Sequence, residues 1–131
     1  MVILLDFSNV LLDVGKGELD EDIVSLLEEL REEGIPRYLF TNLSSEQLAL
    51  YEQRLHFKKY FDGLLPLGEY LKPDVRAYED LQERVGCGYE DMILIDDSAI
   101  NIKAAESFGI RGIVFVGIED LRERLKEFGI L

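Results

Sequence analysis

Apolar residues in this chain fall into five short runs: VILLD at 2–6, RYLFT at 37–41, GLLPL at 63–67, MILID at 92–96 and GIVFV at 112–116. Between them, apolar positions recur every three or four residues. Short unbroken runs mark strands buried on both faces, and the 3.6-residue period marks amphipathic helices. The alternation predicts an α/β fold, a five-stranded parallel sheet with helices on both faces. Pro66 lacks the donor that a central strand needs, so the third run belongs at a sheet edge.

Helix boundaries are also legible. Asp20 is placed to cap a helix with Glu21 and Asp22 in its first turn, Ile23, Leu26, Leu27 and Leu30 on one stripe, and Gly34 just past its end. Ser44 and Gln47 form a capping-box pattern ahead of Leu48, Tyr51 and Leu55. Pro73 suits a first helical position before Ala77, Tyr78, Leu81 and Val85, with Gly86 ending the run. Ser98 precedes the helical stretch AINIKAAESF, and Ile118, Leu121, Leu125 and Phe128 form the stripe of a last helix. These stripes are core positions. The piece DVGKGEL at 13–19 predicts a turn or small hairpin, since Gly15, Lys16 and Gly17 match no phosphate-binding glycine fingerprint.

Length and composition narrow the picture. The 131 residues fit one domain, expected to run from 1 to 131 with no linker or repeat, and 47% apolar with 31% charged residues is a globular composition. A net charge of −13, from 27 acidic and 14 basic residues, disfavours a nucleic-acid partner. No apolar run approaches the roughly 20 residues needed to span a bilayer, and VILLDF lacks the flank and cleavage site of a signal peptide. A cytoplasmic location with no membrane contact is the expectation. Cys87 and His56 are the only residues of their kinds. The cysteine is read as an idle thiol, and no nucleophile or carboxylate stands near the histidine in sequence.

Polar residues with chemistry sit where the apolar runs stop. Asp6 ends the first, Thr41 and Asn42 end the second, Lys72 follows the third, and Asp96 with Asp97 ends the fourth. That sheet edge, near a reversal of strand order, is where open α/β folds bind ligands. A buried charge at a strand end is costly unless paired. Converging carboxylates resist ionising together, and a hard cation such as Mg²⁺ resolves the conflict with oxygen ligands. Lys72 adds positive charge, and Thr41 with nearby backbone N–H groups offers donors to phosphate oxygens. The set points to phosphoryl transfer.

In order and type, LLDFSNV, LFTN, LKPD and LIDDSAINIKAAESFG resemble the motifs of the haloacid dehalogenase superfamily from residue 2 to about 116. The likeness is strongest to its small-metabolite phosphatases, glucose-1-phosphate phosphatase-like members with a D-x-G-N-V pattern included. The resemblance implies a single Rossmann-like domain and a Mg²⁺-dependent phosphatase acting on a phosphorylated substrate. It makes Asp6 the nucleophile that becomes an aspartyl phosphate. The metal would be held by Asp6, the Ser8 backbone carbonyl and Asp96, with Asp97 ligating or acting through water. Thr41 and the Asn42 backbone would hold the phosphoryl group, Lys72 would balance charge, and Asn101 would support the acidic loop. A response-regulator receiver domain uses similar residues, but with its acidic pair first and its Lys last.

Two departures from the family pattern qualify this. The acid/base Asp expected two positions after the nucleophile is Ser8, whose hydroxyl is no acid near neutral pH. And 7–40 holds only a turn, a helix and a strand, so no cap domain fits there, nor between Asn42 and Lys72. Selectivity would then come from a neighbouring subunit in a homo-oligomer or from a bulky substrate. The alternative function is an inactive relative that keeps metal or phosphate binding as an interaction module.

Overall fold

The two halves of the core meet across one strand. In a computed structural model describing residues 1–131, β1 (Val2–Leu5) sends Ile3 and Leu5 to one face of the sheet and Val2 and Leu4 to the other. Ile3 and Leu4 have no exposed surface, and burying each such side chain is worth about 1.5–3 kcal/mol. The remaining elements follow as β2 (Leu12–Asp13), β3 (Glu18–Leu19), α1 (Glu21–Glu32), β4 (Arg37–Phe40), α2 (Ser45–Leu55), β5 (Gly63–Leu65), α3 (Val75–Val85), β6 (Met92–Asp96), α4 (Ala99–Glu106), β7 (Arg111–Val114) and α5 (Ile118–Glu127). Single 3₁₀ turns occupy Lys58–Tyr60 and Tyr89–Asp91.

The main sheet is five-stranded and parallel, in the order β5-β4-β1-β6-β7. Strand order reverses at β1, so a crevice opens between the carboxyl ends of β1 and β6. One face packs α1, α5 and Leu48 of α2 on Leu5, Leu39, Ile93 and Ile95; the other packs α3 and α4 on Leu4, Phe40 and Leu94. The expected α/β sandwich is present, and β5, the strand followed by Pro66, is an edge strand. No helix is long and apolar enough to cross a membrane.

The anticipated caps form. Asp20 accepts from the backbone N–H groups of Asp22 and Ile23, Ser44 and Gln47 make a reciprocal capping box, and Ser98 accepts from Asn101 N–H. The segment at 13–19 is a hairpin: β2 and β3 pair antiparallel, and the Lys16 N–H donates to Asp13 Oδ1, so Gly15-Lys16-Gly17 is its turn. One expectation needs correction. Pro73 does not open α3; Asp74 caps it, its carboxylate accepting from Arg76 N–H, and the helix begins at Val75. A side-chain acceptor satisfies an orphan donor that proline would only have removed. Strands also end earlier than the apolar runs: β1 at Leu5, β4 at Phe40, β5 at Leu65 and β7 at Val114. This leaves Asp6 and Thr41 on the first residues beyond the sheet.

Residues 7–36 hold only the hairpin and α1 between β1 and β4, and 43–62 hold α2 and a 3₁₀ turn. Neither interval contains a further α-helix.

Candidate active site

Asp6 is the first residue past β1, yet its N–H still donates to the Ile95 carbonyl at 2.9 Å, so the sheet fixes its backbone. The chain turns away at once. Phe7 is buried against the rings of Tyr51 and Phe57, and Asn9 takes a left-handed φ of 64°. Ser8 bridges to Leu12 at the neck of the hairpin.

Lys72 reaches this point from the loop after β5 and is itself 4% exposed. Its Nζ donates to Asp6 Oδ1 at 3.1 Å, to Asp96 Oδ2 at 2.9 Å and to the Phe40 carbonyl at 2.8 Å. An ammonium has three protons, and all three are placed. The same nitrogen stands 4.8 Å above the Phe40 ring, whose face favours a cation. Asn42 holds the Lys72 backbone from both sides, accepting from its N–H at 2.8 Å and donating to its carbonyl at 3.2 Å.

Asp96 closes β6 with no exposed surface. Its Oδ1 accepts from Ser98 N–H at 2.9 Å, and its Oδ2 accepts from Asn101 Nδ2 at 3.2 Å as well as from Lys72. Asp97 is exposed beside it, and carboxylate oxygens of Asp6, Asp96 and Asp97 lie within 4.8 Å of one another. Burial pushes the Asp6 carboxyl up to about 7; Lys72 opposes that rise and Asp96 adds to it. Two of these carboxyls thus share one ammonium and the third stands beside them unpaired, a set of hard oxygen donors with charge to spare for a divalent cation.

Asp6, Lys72, Asp96, Asp97 and Asn101 therefore come together, although Asp6 and Lys72 are 66 positions apart in sequence. Thr41 and Ser8 follow Phe40 and Asp6 along the chain, and no side-chain hydrogen bond joins either to this network. Thr41 is buried, and its Oγ1 accepts from Leu43 N–H at 3.1 Å, which leaves the hydroxyl proton for another acceptor. Sequence reasoning missed the Phe40 carbonyl and ring, and it gave Asn42 a backbone role without seeing the side-chain clasp. Those contacts join residues 30 and 32 positions apart and carry no periodic signal. His56 is exposed and closes α2 in a left-handed conformation, and Cys87 is a free thiol outside the network, pushed up in pKa by burial.

A parallel sheet of this order with D, T, K and DD at its carboxyl edge defines a class of hydrolase. The chain belongs to the haloacid dehalogenase-like hydrolases, whose family model matches residues 1–109. It is 33% identical over 110 residues to the GMP/IMP nucleotidase YrfG of Escherichia coli, covering 82% of this chain and 50% of that protein. The fold matches an uncharacterised protein from Corynebacterium glutamicum over 97% of this chain and 93% of the other, with a TM-score of 0.77 and 23% identity. A haloacid dehalogenase family enzyme from Bacteroides thetaiotaomicron, solved with magnesium and inorganic phosphate, matches over 73% of this chain and 52% of its own at a TM-score of 0.65 and 24% identity. The chain spans only 40% to 50% of the length of the curated relatives it matches.

Proposed function

We propose that this chain is a Mg²⁺-dependent phosphatase that transfers the phosphoryl group of a monoester to Asp6 and then to water. The observation that carries the reading is the meeting of Asp6, Asp96 and Asp97 within 4.8 Å, with Lys72 bonded to the first two. The related nucleotidase, and the Bacteroides enzyme holding magnesium and phosphate, support it by analogy. The donor set fits a divalent cation: all oxygen, two carboxyls largely buried, and Asp6 raised to about 7 by burial, with the neighbouring Asp96 adding to the rise. Asp6, the Ser8 carbonyl and Asp96 would hold it, with Asp97 ligating or acting through water. When bound, the cation supplies charge against the phosphoryl oxygens and lets the carboxylates ionise together.

The chain's own residues do the rest. Lys72 orients the Asp6 carboxylate through Oδ1 and stabilises its ionised form. That carboxylate forms a bond to phosphorus as the ester P–O bond breaks, giving an aspartyl phosphate that water hydrolyses. The Thr41 hydroxyl donates to a phosphoryl oxygen, and backbone N–H groups near Asn42 do the same. Ser8 gives the departing alcohol no proton near neutral pH, so weakly basic leaving groups, anomeric, acyl or aryl, are the substrates of choice. With no helical insertion over the crevice, a neighbouring subunit or a bulky substrate supplies what a lid would.

Ser8 also favours a second reading, a protein that binds metal and phosphate without turnover. Hydrolysis of acetyl phosphate and p-nitrophenyl phosphate with Mg²⁺ separates the two. The expected result is turnover by the native chain, none by Asp6→Asn, and a gain of about 10²-fold or more on alkyl phosphates in Ser8→Asp. Silence in both the native chain and Ser8→Asp leaves only the binding reading.

A further inference from the structure

The third motif, LKPDVRAYE, contributes more to the site than its lysine. Tyr78, four residues into α3, has no exposed surface, and its Oη donates to the Asn101 carbonyl on α4 at 2.8 Å. The Asn101 side chain in turn donates to Asp96 Oδ2 at 3.2 Å. The Tyr78 ring meets Phe40 edge-on, with centroids 6.0 Å apart; the Phe40 ring underlies Lys72 Nζ and the Phe40 carbonyl accepts a hydrogen bond from it. One buried side chain thus touches the supports of both partners of the Asp6 carboxylate region: Asp96 through Asn101, and Lys72 through Phe40.

We propose that Tyr78 is a positioning residue that sets the orientation of Asp96 by fixing Asn101 in the first turn of α4. The inference rests on the metal-dependent reading above. Asp96 Oδ2 receives two donors, one from Lys72 and one from Asn101, so the side chain's rotation is set by where those donors stand. Lys72 is held by the Phe40 carbonyl and by Asn42 at its backbone. Asn101 is held within its own helix by its N–H on the Ser98 hydroxyl at 3.2 Å; what ties it to the neighbouring helix is the Tyr78 hydroxyl on its carbonyl. Groups that hydrogen-bond a metal ligand orient it, and losing one commonly weakens metal binding by about 10- to 100-fold.

The molecule supplies a matched control. Tyr89 also donates its phenol to a backbone carbonyl, that of Tyr78, at 3.0 Å, but it makes no hydrogen bond to Asn101 or Asp96. Tyr78→Phe and Tyr89→Phe each delete one phenol-to-carbonyl hydrogen bond and keep the ring, so a merely structural effect falls on both.

The test is Mg²⁺ binding to the full chain by titration calorimetry, with kcat and KM for acetyl phosphate alongside. Tyr78→Phe is expected to weaken Mg²⁺ binding about 3- to 10-fold and to lower kcat by a similar factor, with KM at saturating Mg²⁺ within about twofold of native. Tyr89→Phe is expected to leave all three within about twofold. Asn101→Ala should reproduce the loss, and adding Tyr78→Phe to it should cost nothing more, because the two act through one path. Mg²⁺ affinity in Tyr78→Phe within twofold of native, an equal loss in Tyr89→Phe, or full additivity with Asn101→Ala overturns the proposal. If the native chain binds Mg²⁺ but turns nothing over, the phosphatase reading fails while the calorimetry still decides this one; if it binds no Mg²⁺, both fall.

Discussion

A carboxyl raised to about 7 is a liability for folding unless something repays it, and Asp6 makes that liability measurable. Its ordinary value is 3.8, so between about pH 4 and 7 the folded metal-free chain holds a proton that the unfolded chain has released. Stability from this group is therefore greatest at the acid side, falls as pH rises through that window, and levels off above it. Thermal melts in chelator should show the Tm falling from pH 5 to 7.5 more steeply for the native chain than for Asp6→Asn, which has nothing to titrate there. Saturating Mg²⁺ should remove the difference by favouring the ionised carboxylate. Parallel slopes for the two proteins in chelator would mean that Asp6 titrates as an ordinary exposed carboxyl.

Element by element, the fit between β7 and α4 matters most for the site, because α4 carries Asn101. A Cβ on Gly112 of β7 would meet Ile102 Cγ2 at 2.5 Å and Glu106 Cγ at 3.3 Å, so the strand and helix approach as closely as they do only because that residue has no side chain. Gly112→Ala is expected to cost about 1–3 kcal/mol by overpacking, read as a lower urea midpoint at unchanged m-value. Gly15→Ala in the hairpin turn, whose Cβ would meet nothing nearer than 3.4 Å, should leave the midpoint almost where it was.

Most of these elements were legible in the sequence. Buried parallel strands are short and apolar throughout, and Asp20, Ser44 and Ser98 announce their helices by chemistry that acts within three residues. Placing Asp6, Lys72, Asp96 and Asp97 together was legible too, since parallel strands align their carboxyl ends. The start of α3 was misjudged because Asp74 is a better cap than Pro73 is a first residue. The Asn42 clasp, the Phe40 floor and the Tyr78 link were out of reach, since each depends on how distant segments settle against one another.

For the whole molecule, a charge of −13 sets the long-range field. An anionic phosphate ester approaches a body of its own sign, and added salt screens that repulsion. With Mg²⁺ saturating, KM for a dianionic aryl phosphate should fall as NaCl is raised from about 10 to 150 mM, while kcat stays level. A KM that rises with salt would place a net cationic surface around the crevice and contradict the charge distribution described here.

The proposed mechanism requires the Asp6 and Asp96 carboxylates, at the ends of β1 and β6, to share one cation. Anomalous diffraction from a crystal grown with Mn²⁺ in place of Mg²⁺ tests this directly. A single strong peak about 2.0–2.5 Å from carboxylate oxygens of both Asp6 and Asp96, lost in Asp96→Ala, is the expected result. A peak elsewhere on the acidic surface, with those two side chains still bridged only by Lys72, would contradict it.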